Sequence, residues 1–216
     1  MFKKGFISCL LAAALLVTLG GAALADHEET APARETVQEP IRDYAPGTVP
    51  AQTGAVQSMS PAIHGVLLAM LHHGADEFQA DDTALAWESL YNMLSLYGQL
   101  DERSEYQDSD HLLLLSETVR DYTAALDVSF DELGPLPGAL SDRIVYDAAA
   151  DSYQVVCGND SQAQFQVYTA EQTAGGLVLE GALVSLTDQT DLARFEAALQ
   201  PRDSMFGYAI TALTLT

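Results

Sequence analysis

The segment Gly134-Pro135-Leu136-Pro137-Gly138 does most to limit what this chain can fold into, because the hydrophobic period changes across it. Two prolines between two glycines make a stiff turn that neither a helix nor a strand continues through. Before it, apolar residues recur at helical spacing. Ser60 followed by Pro61 predicts an N-cap with proline at the first helical position, where its missing N–H costs nothing. Ala62, Val66, Ala69 and Met70 carry that helix to Gly74. A second helix is predicted over about residues 81–97, with Leu85, Leu90, Leu94 and Tyr97 on a broad buried face and Gly98 as its stop. Leu112, Leu115, Val119, Tyr122 and Leu126 recur at spacings of three and four, a third helical stripe behind Asp110 as cap.

After the turn the pattern alternates. Ile144-Val145-Tyr146 and the run from Tyr153 to Cys157 flank a short loop, and Phe165, Val167 and Thr169 alternate with glutamines and Tyr168. Gly175-Gly176 turns the chain into residues 177–186, and residues 206–216 make a last strand. Residues 192–199 fit either period. The strand is preferred, because Pro201-Arg202-Asp203-Ser204 reads as a hairpin turn into Phe206. Such close spacing favours antiparallel neighbours, since a parallel pair needs a longer crossover. The expected fold is therefore α+β, with three N-terminal helices packed on one face of a five- or six-stranded antiparallel meander.

Location is written at the N-terminus. Lys3 and Lys4 precede an apolar run over residues 5–19, and Ala23-Leu24-Ala25 has the small-x-small cleavage pattern. This predicts a secretory signal peptide cleaved after Ala25, a secreted or extracellular protein, and no membrane span in the mature chain. Residues 26–60 are rich in proline (Pro32, Pro40, Pro46, Pro50) and show no apolar period, so they read as a disordered linker. Residues 61–216 are expected to form one domain.

Cleavage would remove every lysine and leave seven arginines against 31 acidic residues. Such a surface repels nucleic acid and anionic lipid, which both need a cationic face. Cationic partners, metal ions and neutral ligands stay open, and the expected partner is a protein or a ligand of the cell envelope. Cys9 leaves with the signal, so Cys157 is alone and no internal disulfide can form. Stability must come from burial, for which 48% hydrophobic residues suffice.

Candidate chemistry is sparse. His72 with Asp76, and His73 with Glu77, are each four apart and would share a helical face as metal ligands, but Gly74 is expected to break that helix. Histidines in a last turn are also explained by the helix C-terminal dipole. The acidic loop from Asp101 to Asp110 lacks the glycine and terminal glutamate of a calcium-binding EF-hand. No histidine follows Cys157, so it could act as a nucleophile only in a His-before-Cys order, with His111 as base; the alternative is a small hydrophobe at a strand end. Phosphate loops and Schiff-base chemistry need a lysine that the mature chain lacks. No cofactor is called for. Trp87 reads as core, and Asn159-Asp160-Ser161 matches a glycosylation sequon.

At Leu136-Pro137, Ile144-Val145-Tyr146-Asp147, Tyr153 and Phe206-Gly207-Tyr208-Ala209-Ile210, the chain resembles a recurrent type of uncharacterised exported protein of anaerobic Firmicutes. The resemblance covers about residues 110–216. It implies a small curved-sheet domain and carries no active residues across. The leading expectation is a secreted, non-enzymatic domain that binds a protein or cell-envelope ligand, with Tyr146, Tyr153 and Tyr168 as contact residues. The alternative is a small extracellular hydrolase built on carboxylates or on the His111/Cys157 pair.

Overall fold

A computed structural model of the chain describes residues 50–158 and 162–216. The predicted signal peptide, most of the predicted linker (residues 26–49) and the sequon-like Asn159-Asp160-Ser161 lie outside the described residues. Three α-helices and eight strands are present among those described: α1 (Pro50–His73), α2 (Thr83–Tyr97), β1 (Glu105–Tyr106), β2 (His111–Leu115), α3 (Ser116–Thr123), β3 (Ile144–Asp147), β4 (Ser152–Val156), β5 (Ala163–Thr173), β6 (Gly176–Ser185), β7 (Asp191–Pro201) and β8 (Tyr208–Leu215). The class is α+β and the sheets are antiparallel. The strands do not form the expected single meander. They make two sheets of four, ordered β1-β2-β4-β3 and β5-β6-β7-β8.

Three expectations are corrected, each because tertiary burial outweighs a local signal. The first helix does not start at Ser60. It runs from Pro50 straight through Pro61, so residues 50–60 are helix rather than linker. Met59, Ala62 and Ile63 are completely buried on either side of that proline. The Ser60 hydroxyl donates back to the Val56 carbonyl (3.0 Å), and Ser58 bonds the Phe206 carbonyl (2.7 Å), tying the early helix to the loop before β8. Over Gly54–His73, α1 is long and apolar enough by length and composition to cross a membrane, and half of its most apolar window is buried in the domain.

The second correction concerns Leu112 to Leu115. Four consecutive leucines satisfy either period, and here they form β2, in which Leu112 and Leu114 are buried while Leu115 is exposed. Cross-strand pairing with Val155 and Tyr153 fixes that alternation. The helix begins only at Ser116, so Asp110 caps nothing helical, and one of the three helices is inserted among the strands. The third correction is the strand count, raised to eight by the short β1 and by β2, neither of which the sequence pattern marks as a strand.

The longer β-sheet meander follows the expectation closely. Ala174-Gly175 closes the β5–β6 hairpin, residues 192–199 are strand within β7, and residues 202–207 connect β7 to β8. Helix α1 packs on this sheet, while α2 lies against α1, α3 and β4. One core joins both sheets: Leu67, Met70, Leu90 and Leu94 of the helices, Val155 of β4, and Leu183, Phe195 and Leu213 of the longer sheet. Trp87 belongs to it, 3% exposed, with Nε1–H donating to the Gly134 carbonyl (3.3 Å) and Phe130 packed edge-on. That bond pins the proline-rich turn to α2.

Candidate functional site

Two features carry groups that could act. The first begins with how α1 ends. Gly74 adopts φ +64, the left-handed conformation that side chains disfavour. The Ala75 N–H returns to the Met70 carbonyl (2.9 Å) and the Gly74 N–H to Leu71 (3.4 Å), a Schellman termination. Beyond it the chain runs beside β8. Phe78 N–H donates to Leu213, Asp76 carbonyl accepts from Leu215 (2.8 Å each), and Glu77 bridges to Thr214. Asp76 and Glu77 are thus drawn to the β8 edge, away from the histidine pair they were expected to join.

Another carboxylate takes their place. Glu88 is the only charged residue of α2, and its side chain is 10% exposed. His72 Nδ1 lies 2.5 Å from Glu88 Oε1, and His73 Nε2 lies 3.1 Å from Glu88 Oε2. Each carboxylate oxygen therefore holds one imidazole. Consecutive helical residues point about 100° apart, and both rings still converge because one uses its near nitrogen and the other its far one. Arg143 Nη1 stands 3.9 Å from Glu88 Oε1, its guanidinium over the Tyr91 ring. A buried carboxylate needs such compensation, since unpaired charge is costly away from water.

The second feature is the outer face of the shorter sheet. Strand β3 is an edge that pairs, among the described residues, with β4 alone. Register sets Val145 of β3 across from Gln154 of β4, with Leu113 of β2 on the far side of Gln154 and Leu115 one pleat along β2. Val145 is 49% exposed and Leu115 47%. Exposed acidic residues flank these strands in sequence or register: Asp142 before β3, Asp147 at its end, Glu117 just after β2, and Glu105 across from Leu113.

The three tyrosines proposed as contacts separate. Tyr146 is exposed on β3 and donates its hydroxyl to Asp151 (2.9 Å). Tyr153 is buried behind it, ring against ring at 4.8 Å, and belongs to the core. Tyr168 lies on the other sheet, at the β5 bulge, with its hydroxyl 3.2 Å from Asp191. They do not form one surface.

His111 begins β2 and Cys157 immediately follows its neighbour β4, and yet the two side chains are not brought together. His111 pairs with Val156 on the outer face, and alternation turns Cys157 inward, where it packs against the core. The His111 ring faces Asp108 instead (2.9 Å). Burial, with Asp110 and Asp108 nearby, pushes the Cys157 thiol above its ordinary value, which is the reverse of what a nucleophile needs. Iodoacetamide at neutral pH is expected to modify Cys157 at least tenfold more slowly in the native protein than in urea. Equal rates would contradict the inward placement.

In the acidic loop, Asp101 accepts from the Arg103 backbone (2.9 Å), Nε (3.0 Å) and Nη2 (2.8 Å). These bonds hold its carboxyl below the ordinary range. The same arginine reaches Asp121 through Nη1 (2.6 Å), so this carboxylate pair serves to fix the loop.

Glu88 is the residue that sequence reasoning missed as a partner of His72 and His73. The available signal was a single charge inside an otherwise uncharged helix, fifteen residues beyond His73. Compared with known protein families, with curated proteins and with solved structures, the chain matches none.

Proposed function

We propose that the mature chain is an exported, non-enzymatic domain that binds an extended segment of a cell-envelope protein along β3. The observation that carries this reading is Val145, 49% exposed on the outer face of the edge strand β3, with Leu115 exposed on the same sheet face two strands away on β2. Apolar side chains exposed on the sheet face beside an unpaired strand edge offer a partner a surface to cover. An edge strand adds main-chain hydrogen bonds to such an encounter, and alternate side chains then supply selectivity. The acidic residues flanking these strands favour a segment flanked by Lys or Arg, so binding should weaken as salt rises. Export, the signal peptide and the resemblance to exported Firmicutes proteins belong to the same proposal. They rest on residues 1–25 and on the strand and turn motifs already quoted.

The test is retention on immobilised residues 26–216 exposed to the producing organism's envelope extract, read by mass spectrometry against an equally acidic control. A partner is expected that is held by the native chain and lost, by tenfold or more, from Val145→Asp/Leu115→Asp with Tm unchanged. Retention of nothing, or equal retention by the double variant, would remove the reading.

A further inference from the structure

We infer that His72, His73 and Glu88 form a binding site for one first-row divalent transition-metal ion, zinc being the natural choice. The three donor atoms come from two packed helices and lie within 4.8 Å of one another. Two imidazole nitrogens and a carboxylate are a donor set suited to zinc, copper or nickel. Magnesium and calcium, by contrast, take all-oxygen shells.

Geometry is close to what binding requires. Ligands about 2.0–2.2 Å from a tetrahedral zinc stand roughly 3.3–3.5 Å apart. The imidazole-to-carboxylate separations of 2.5 and 3.1 Å fall somewhat below this, so small outward rotations of the two rings would admit the ion. The rings can make that adjustment, because the His72 side chain is 62% exposed and that of His73 33%. Glu88 is fixed beneath them by burial in α2. Three protein ligands leave a coordination position for water on the solvent side, the arrangement of an exchangeable site rather than a closed structural one.

Local charge limits affinity without abolishing the site. Arg143 is near Glu88 Oε1 but makes no hydrogen bond at 3.9 Å, and its guanidinium is held over Tyr91. Its positive charge opposes a dication, so micromolar binding is expected instead of the far tighter binding of structural zinc. The bound ion would join the C-terminal end of α1 to the middle of α2.

Metal-stripped residues 26–216 should be titrated with zinc by calorimetry in millimolar magnesium, which saturates the many surface carboxylates. One equivalent should bind, and Tm should rise by about 5–10 °C at a hundredfold excess over Kd. Cobalt at the same site should give the visible absorption of a tetrahedral complex. His72→Ala and His73→Ala, both at exposed positions, should keep the apo Tm within a few degrees and weaken zinc binding by at least tenfold. No heat and no Tm shift at millimolar zinc would overturn the assignment. So would undiminished binding by the His72→Ala/His73→Ala double variant, which would place the ion elsewhere.

Discussion

Phe195→Ala is expected to cost about 3–5 kcal/mol, the range for emptying a buried aromatic site. Phe195 is 2% exposed in β7, directly across from Gly181 of β6. Its ring lies against that glycine so closely that an added Cβ on Gly181 would fall 2.8 Å from Cε1 and Cζ, and 2.1 Å from the Gln166 carbonyl oxygen. The glycine and the phenylalanine thus form one unit, in which a missing side chain on one strand makes room for a large one on the next. The neighbours cannot collapse into the space, because the Gly181 backbone is held between β5 and β7. Against a total stability of about 5–15 kcal/mol, the loss is large. Urea denaturation should show a lower midpoint with unchanged slope. A loss below 1 kcal/mol would mean that the ring does not fill the sheet-to-helix core.

The second large effect is a loss of stability in mild acid centred on His64. This residue of α1 is 4% exposed, its Nδ1 lies 2.6 Å from the Tyr97 hydroxyl, and its ring also bonds the backbone of Ala163. The imidazole therefore links α1 to the end of α2 and the start of β5, with Phe165 as a ring neighbour. Burial lowers its pKa from 6.5 to about 4, the Ala163 contact opposing that shift only in part. Above pH 6.5 the ring is neutral whether the chain is folded or not, and stability is unaffected. Between 6.5 and 4 the unfolded chain takes up the proton and the folded one refuses it. Stability then falls with pH by about 3 kcal/mol over that window and levels off below it. An NMR titration of the His64 ring should show a midpoint near 4, with urea midpoints falling in parallel. A midpoint near 6.5 would contradict the burial.

The legible and illegible parts of the sequence divide along physical lines. The meander from β5 to β8 could be read because alternation and turn residues act over short distances, as at Gly175 and Pro201. Helix α2 could be read nearly to its ends, and Asp82 caps it by accepting from Ala84 and Leu85 (3.0 and 3.1 Å). Pro61 misled because a proline-start signal is local, whereas the burial of Met59 and Ile63 is tertiary. The leucine run misled because Leu112 and Leu115 match helical spacing, and only pairing with β4 reveals the period of two. At the site, the two histidines were visible and their partner was not. Glu88 approaches them through the packing of α2 against α1, which no sequence spacing records. Conversely, Tyr153 resembled a contact residue in sequence and lies in the core, because alternation identifies two faces without saying which is buried.

Amide hydrogen exchange on the native chain with and without its captured envelope partner tests most directly whether β3 is the recognition strand. Residues 144–147 pair on one side only among the described residues, so they should gain strong protection in the complex, with smaller gains at Leu113 and Leu115. Protection appearing on β5 or β8 while residues 144–147 exchange as before would contradict recognition through β3.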